Sequence, residues 1–250
     1  MALVHSFETS GNKLFKYRGQ IPVFLFLMAI PFIYFTNYQC VDSNPQLDLI
    51  LLIICAIVSF SGQVIRSIAI GTANKNTSGR NTKEGQVAEA LNTKGIYSTV
   101  RHPLYLGNYL MWIGIVAYTY NIYYIIIVSL LFWLYYERIM FAEERFLERK
   151  FGEAYVNWSL KVPAFIPSFK NKIKSDIPFS FKTTLRREYS GITATILGFV
   201  FVAFFRVWFS TGEIQWRKSH LIVLIVAFGI TLVLRSLKHY TKVLHEEDRS

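Results

Sequence analysis

This sequence predicts an all-α fold: a polytopic membrane helix bundle of about six transmembrane helices that includes one tight helical hairpin. Three observations carry the prediction. The chain is 52% hydrophobic and 17% charged, below the roughly 25% charged residues of an average soluble domain. Its apolar residues gather in runs close to the ~20 that a spanning helix needs. Its Lys and Arg residues cluster on alternate loops, the pattern that sets the orientation of a multi-pass protein.

The first run, 21–38, contains Pro22 and Pro31, so a kink is expected. A signal peptide is the competing reading. The run starts late, however, and no small-residue cleavage site follows it. The second run covers 47–70, with Arg66 near its end; there the side chain is expected to snorkel to the interface. The third and fourth, 104–120 and 122–141, are separated by so short a turn that they should pack antiparallel. The fifth and sixth cover 192–209 and 221–237. Three parts result: an N-terminal transmembrane pair (1–72), a core of loop, hairpin and polar helix (73–170), and a basic linker with a C-terminal pair (171–250).

The net charge is +11, and its distribution matters more than its size. Lys13, Lys16 and Arg18 precede the first span. The loop 39–47 carries no Lys or Arg, whereas the next carries Lys75, Arg80, Lys83, Lys94 and Arg101. The hairpin tip at Asn121 has none, 138–187 is dense in both residue types, and only Arg206, Arg217 and Lys218 lie near the last outer loop. Both termini are therefore expected on the cytoplasmic side of an inner (cytoplasmic) membrane. The basic excess reads as contact with the bilayer and its anionic lipids. Nucleic acid is the poorer reading, since no nucleic-acid motif accompanies the charge. Cys40 and Cys55 make neither a disulfide framework nor a metal-ligand spacing, and the five histidines are scattered, so no metal site is expected.

Chemistry concentrates in two segments. In Arg101-His102-Pro103-Leu104-Tyr105-Leu106-Gly107, Pro103 suits the first position of a helix and makes His102 its cap residue. Helical spacing then aligns His102, Tyr105, Tyr109 and Trp112. Gly107 lets a backbone or a ligand approach closely, and a helix N-terminus favours an anion. The bland alternative is a simple cap with an aromatic interface belt. The second segment holds Arg138 and the pair Glu143-Glu144. Met140, Glu144, Leu147, Phe151 and Tyr155 share one helical face, so the carboxylate there needs a partner: Arg101, Arg138 or a cationic ligand. Arg138 and Glu143 do not share a face. The bland alternative is a solvated charge run at a membrane exit. Gly152 can end or kink the helix, and Pro163 and Pro167 make a rigid, extended return.

Taken in order, Arg101-His102-Pro103-x-Tyr105-x-Gly107, Arg138-x4-Glu143-Glu144-x2-Leu147-x3-Phe151-Gly152-x2-Tyr155, Val162-Pro163 and Ile166-Pro167 resemble the integral-membrane methyltransferases related to isoprenylcysteine carboxyl methyltransferase and the phospholipid methyltransferases. The resemblance covers roughly residues 50–170. It implies S-adenosylmethionine as methyl donor, bound in a pocket open to the cytoplasm, and a membrane lipid or lipidated acceptor that enters from the bilayer. It also implies site roles. His102, Tyr105, Gly107 and Glu144 would line the cofactor site with Glu143 beside them, as would Gly95 and Tyr97 from the polar segment before the His-Pro motif. Arg138 would orient the acceptor, and Arg138 and Glu143 are the catalytic candidates. The chemistry agrees: aromatic faces attract a sulfonium, carboxylates suit an ammonium, and Arg or a helix N-terminus suits a carboxylate. No Gly-x-Gly-x-Gly fingerprint of a soluble cofactor domain occurs.

Departures from the family pattern are the C-terminal pair and the loop 77–83, which reads either as a head-group contact, since its Arg, Lys and hydroxyls suit a phosphate, or equally as an ordered connector. Two other classes compete: an NADPH-dependent membrane reductase of the steroid-reductase type, and a non-enzymatic membrane protein. Binding of S-adenosylhomocysteine or of NADPH separates the first two. Tolerance of substitution at His102, Arg138 and Glu144 marks the third.

Overall fold

The computed structural model describes residues 2–75, 77 and 86–246; the loop 77–83 read above as a head-group contact lies, but for Thr77, outside them. Helices α1 (Leu3–Tyr17), α2 (Ile21–Phe35), α3 (Gln39–Asp42), α4 (Pro45–Gly71), α5 (Pro103–Ala117), α6 (Ile122–Phe151), α7 (Glu153–Ser159), α8 (Phe181–Thr211) and α9 (Lys218–Tyr240) follow in chain order, with a 3-10 turn at Gly95–Ser98. Local sequence sets their ends. Asn44 and Asn121 each turn a side-chain oxygen onto a backbone N–H of the first turn of α4 and α6, as N-caps do. Gly152, at φ +54°, ends α6, and Ser180 caps α8.

Four helices, α4, α6, α8 and α9, are long and apolar enough to cross a membrane, which makes this an integral membrane protein. The remaining two apolar runs form shorter helices. α2 and α5 have 15 residues each, roughly 22 Å against the ~30 Å hydrocarbon core of a bilayer. The fifth run lies inside α8, which begins eleven residues earlier with polar turns.

The bundle closes on two kinds of contact. Ile33 of α2, Tyr124 and Val128 of α6 and Val202 of α8 are buried almost completely, and Phe32 stacks on Tyr124 at 4.7 Å between ring centres. α4 and α5 instead approach through small residues. A Cβ on Gly62 would overlap the Gly107 carbonyl, and one on Gly114 would overlap Ser59 and the Cys55 carbonyl. Ser59 donates to the Met111 carbonyl at 2.8 Å. Small residues at such contacts let backbones pack closely where lipid gives no hydrophobic drive.

α1 is an element that the sequence reading did not place. Its residues Phe7, Gly11, Leu14 and Phe15 recur at helical spacing and face α6. Phe7 meets Phe141 at 5.9 Å, Tyr135 donates to the Leu14 carbonyl at 2.6 Å, and Glu8 pairs with Arg149 at 2.6 Å.

The shortness of α5 positions the site. Beyond the Gly62–Gly107 contact, α4 runs on for nine residues and α5 for four, a difference of roughly 8 Å. Above the blunt N-terminus of α5 a cavity remains, walled by the ends of α4 and α6, by the start of α8 and by residues 86–92.

Candidate active site

His102 occupies the N-cap position of α5 and Pro103 the first helical position, but the His102 side chain makes no cap bond. Its ring is turned to α6 instead. Nε2 lies 2.8 Å from Glu144 Oε1, and Nδ1 lies 3.5 Å from Glu143 Oε2. The backbone that holds it is pinned by the proline-bearing return: Arg101 N donates to the Pro163 carbonyl at 2.9 Å, His102 N to the Ala164 carbonyl at 3.1 Å and Ser168 N to the Thr99 carbonyl at 2.9 Å. Burial pulls the His102 imidazolium down, but hydrogen bonds and charge from Glu143 and Glu144 outweigh it, and the pKa is pushed up to about 8. At neutral pH the ring is thus a cation held between two carboxylates.

Arg101 supplies the partner that Glu144 needs. Its Nε donates to Glu144 Oε1 at 2.9 Å, and its Nη1 to the carbonyls of Ser159 and Val162 at 2.7 and 2.8 Å. Tyr105 stacks near-parallel on His102 at 5.5 Å. Its hydroxyl is buried in the wall beside Glu143 without a well-formed hydrogen bond. The Tyr97 phenol is raised by burial and by Glu143, and the Tyr97 carbonyl accepts from the Trp158 indole at 3.2 Å.

Of the residues singled out in the sequence, Tyr97, His102, Tyr105 and Glu143 line the cavity together. Glu144 stands behind them, committed to Arg101 and His102. Three others lie elsewhere. Gly95 has φ +63°, and its N–H donates to the Ile173 carbonyl at 3.0 Å. It shapes the turn against 173–175 and does not face the cavity. Gly107 is spent on the α4 contact. Arg138 points at α1, with its guanidinium 4.4 Å over the Phe7 ring and Nη1 at 3.3 Å from Ser10 Oγ. The aromatic stripe also divides: Tyr109 faces Phe132 of α6, whereas Trp112 meets Phe26 of α2.

The membrane side of the cavity holds a polar cluster that the sequence reading missed. Arg66 does not snorkel. Its Nε donates to Glu188 Oε2 at 2.8 Å, its Nη2 to Glu188 Oε1 at 2.6 Å and its Nη1 to Asn108. Gln63 adds a 2.8 Å bond to Glu188 Oε2, and Asn108 donates to the Tyr136 hydroxyl at 3.1 Å. Glu188 is 1% exposed. The available signal was an acid just before an apolar run and an Arg within another. Phe15 and Arg18, at and just past the end of α1, line the cavity as well. Among the described residues no group of His, Cys, Asp and Glu could hold a metal ion.

The cavity therefore joins a helix N-terminus, a carboxylate, aromatic walls and the inner cluster of Arg66, Asn108 and Glu188. Residues 50–154, which carry most of these parts, match the phospholipid methyltransferase family. The match spans less than half of the chain. The chain is 32% identical over 106 residues to the protein-S-isoprenylcysteine O-methyltransferase of Schizosaccharomyces pombe, covering 42% of this chain and 45% of that protein. It is 32% identical over 120 residues to the Xenopus laevis protein of the same name, covering 48% and 42%. It is also 36% identical over 83 residues to the nickel-cobalt-cadmium resistance protein NccN of Alcaligenes xylosoxydans xylosoxydans, covering 33% and 38%. The chain thus spans about half the length of the curated relatives it matches, or less. No solved structure matches it significantly. The phospholipid methyltransferase segment supplies α4, α5 and α6, while α8, outside it, supplies Glu188 to the same cavity.

Proposed function

We propose that this chain is a membrane methyltransferase that takes its methyl group from S-adenosylmethionine and passes it to a membrane lipid or a lipidated acceptor. The observation that carries the reading is the His102–Glu143–Glu144 cluster at the N-terminus of α5, inside a cavity that reaches toward the bilayer. The donor, when bound, supplies a methyl group on a sulfonium. The residues present fit it: the Tyr105 hydroxyl is a buried polar atom without a well-formed hydrogen bond among the described residues, and the wall presents a carboxylate and aromatic faces.

Glu143 is placed to hold an ammonium. The N-terminus of α5 favours a carboxylate, and Tyr97, Tyr155 and Trp158 offer ring faces to a sulfonium or a base. His102, charged between the two acids, keeps both ionised and fixed in direction. The cavity measures ≈ 220 Å³, under the ~300–1,000 Å³ of ordinary ligand pockets; the wall at 86–92 carries no helix and is where it would widen. On the bilayer side, Arg66, Asn108 and Glu188 meet the acceptor. Transfer to a carboxylate or phosphate oxygen needs only positioning and exclusion of water. An ammonium acceptor needs a base, and Glu143 and Glu188 are carboxylates that line the cavity. Lys16, Arg18, Arg101, Arg145 and Arg149 lie at the cavity end of the bundle, which supports a cytoplasmic side for that end and for both termini by the positive-inside rule.

Calorimetry on the purified chain in detergent tests the donor. S-adenosylhomocysteine is expected to bind and NADPH not to. Binding of NADPH alone would replace this reading with the reductase. Lipid mass spectrometry of cells with and without the chain then identifies the acceptor as the class that gains one methylene.

A further inference from the structure

A second cleft opens at the opposite end of the bundle, between α4, α8 and α9. It measures ≈ 790 Å³. Its lower walls are apolar, formed by Leu49 and Leu52 of α4, Phe199 and Val207 of α8 and Val223 of α9. Its mouth carries the acids Asp42 and Asp48 from α3 and α4 and, at the start of α9, the Arg217 cation and the imidazole of His220. Along α4, Asp48 stands roughly 27 Å from Arg66, close to one hydrocarbon thickness. The mouth is thus at the membrane face opposite the methyl-transfer cavity.

Asp48 is held in one orientation. Arg206 Nη2 and the Tyr120 hydroxyl both donate to its Oδ1, each at 2.9 Å, and among the described residues Oδ2 receives no hydrogen bond. Arg206 is 6% exposed and lies over the rings of Tyr38, Tyr118 and Tyr120 at 4.8, 4.8 and 4.5 Å. Among the described residues its Nε and Nη1 are buried without hydrogen bonds. A carboxylate fixed by a caged cation, with one oxygen left over, suits a ligand that brings its own N–H donors. The arginine and histidine opposite suit an anion.

We propose that this cleft binds one zwitterionic phospholipid bearing a primary ammonium, with its acyl chain along the α4–α8–α9 wall. The ammonium meets Asp42 and Asp48, the phosphate meets Arg217 and His220, and the apolar walls take the upper methylenes. An anionic lipid can set its phosphate on Arg217 but brings no ammonium, and so leaves the two aspartates unmatched. The site is independent of the methyl-transfer reading, since it shares no residue with that cavity.

The test uses the full chain in detergent, loaded with phosphatidylethanolamine or with phosphatidylglycerol of identical acyl chains, and native mass spectrometry of the retained lipid. One retained phosphatidylethanolamine per chain is expected, with about tenfold preference over phosphatidylglycerol, the size of one charge-assisted hydrogen bond. The double variant Asp42→Asn, Arg217→Ser, which removes two charged contacts, should lose more than tenfold in retention while S-adenosylhomocysteine binding at the other end is unchanged. Equal retention of both lipids, which is annular lipid only, overturns the proposal, as does wild-type retention by the variant. Should the double variant not fold, Ser210→Trp, at the exposed end of α8 in the mouth, obstructs the cleft without touching a charge; undiminished retention there overturns it equally.

Discussion

Arg66 grips both carboxylate oxygens of Glu188, Nε to Oε2 at 2.8 Å and Nη2 to Oε1 at 2.6 Å, and so ties α4 to α8 inside the bundle. Breaking one side of a buried pair leaves an uncompensated charge, which costs roughly 3–5 kcal/mol, whereas replacing both by apolar groups costs far less. Glu188→Gln is therefore expected to lower the unfolding midpoint in detergent strongly, and Arg66→Met with Glu188→Leu to restore most of it. The double variant should still lose methyl transfer, since the inner cluster is gone. A double variant less stable than Glu188→Gln alone would show that the pair is not the tie.

His102 makes stability depend on pH in a defined direction. Its folded pKa is raised to about 8 from an ordinary value near 6.5. The folded state thus binds the proton more tightly, and the contribution is complete below about pH 6.5 and lost as pH rises through about 8, in total about 2 kcal/mol. Thermal unfolding of the wild type from pH 6 to 9 should show a falling midpoint across that window. His102→Gln should remove the slope. A midpoint that rises with pH in the wild type alone would reverse the assignment.

Much of this was legible in local chemistry. Pro103 and Gly152 mark the start of α5 and the end of α6, and the turn at Asn121 is as tight as its length implied. The need of Glu144 for a cation left Arg101, Arg138 and a cationic ligand open, and in the structure Arg101 meets it. What stayed hidden depends on contacts distant in sequence or on direction. Nothing near Arg66 announces Glu188, which arrives from α8. Gly107 permits a close approach, but sequence does not say by whom, and the visitor is α4. Adjacent residues on a helix point about 100° apart, so Glu143 enters the cavity while Glu144 turns to Arg101. Arg138, five positions before Glu143, points about 140° away from it and meets α1. The basic residues Lys13 and Lys16 masked α1 by reading as flanking charge.

The α4–α5 contact gives a packing prediction. A Cβ on Gly107 would stand 2.5 Å from Arg66 Cγ and 2.7 Å from the Gly62 carbonyl. Gly107→Ala is expected to push the helices apart and cost about 1–3 kcal/mol, as overpacking does. It should also displace Arg66. A loss of stability in unfolding assays, accompanied by weaker acceptor saturation, is the expected pair of results. Unchanged stability would mean that the helices do not pack as closely as described.

Arg138 tests the part that direction plays. Its guanidinium lies over Phe7 and reaches Ser10, both on α1. A lysine can make the same two contacts, so Arg138→Lys is expected to keep near-normal transfer of labelled methyl into extracted lipid at matched expression. Arg138→Glu should loosen α1 and lower the unfolding midpoint. Loss of most transfer in the Lys variant, with donor binding intact, would return Arg138 to the role of acceptor-orienting group.

The two adjacent glutamates should separate binding from folding. Glu143 lines the cavity and touches His102 only at 3.5 Å, so its charge is available to a ligand ammonium. Glu144 is already used: Arg101 and His102 hold it at 2.9 and 2.8 Å. Losing a charge-assisted hydrogen bond costs about 1.5–3 kcal/mol, more than tenfold in affinity. Glu143→Gln is therefore expected to weaken S-adenosylhomocysteine binding more than tenfold with little change in the unfolding midpoint. Glu144→Gln should show the opposite balance, because Arg101 would lose the anion that orients it between α6 and the carbonyls of Ser159 and Val162. Calorimetry and thermal unfolding on both variants decide the matter. If Glu144→Gln weakens the ligand as much as Glu143→Gln and leaves the midpoint unmoved, then the carboxylate that meets the donor is Glu144, and Arg101 must release it when the donor binds.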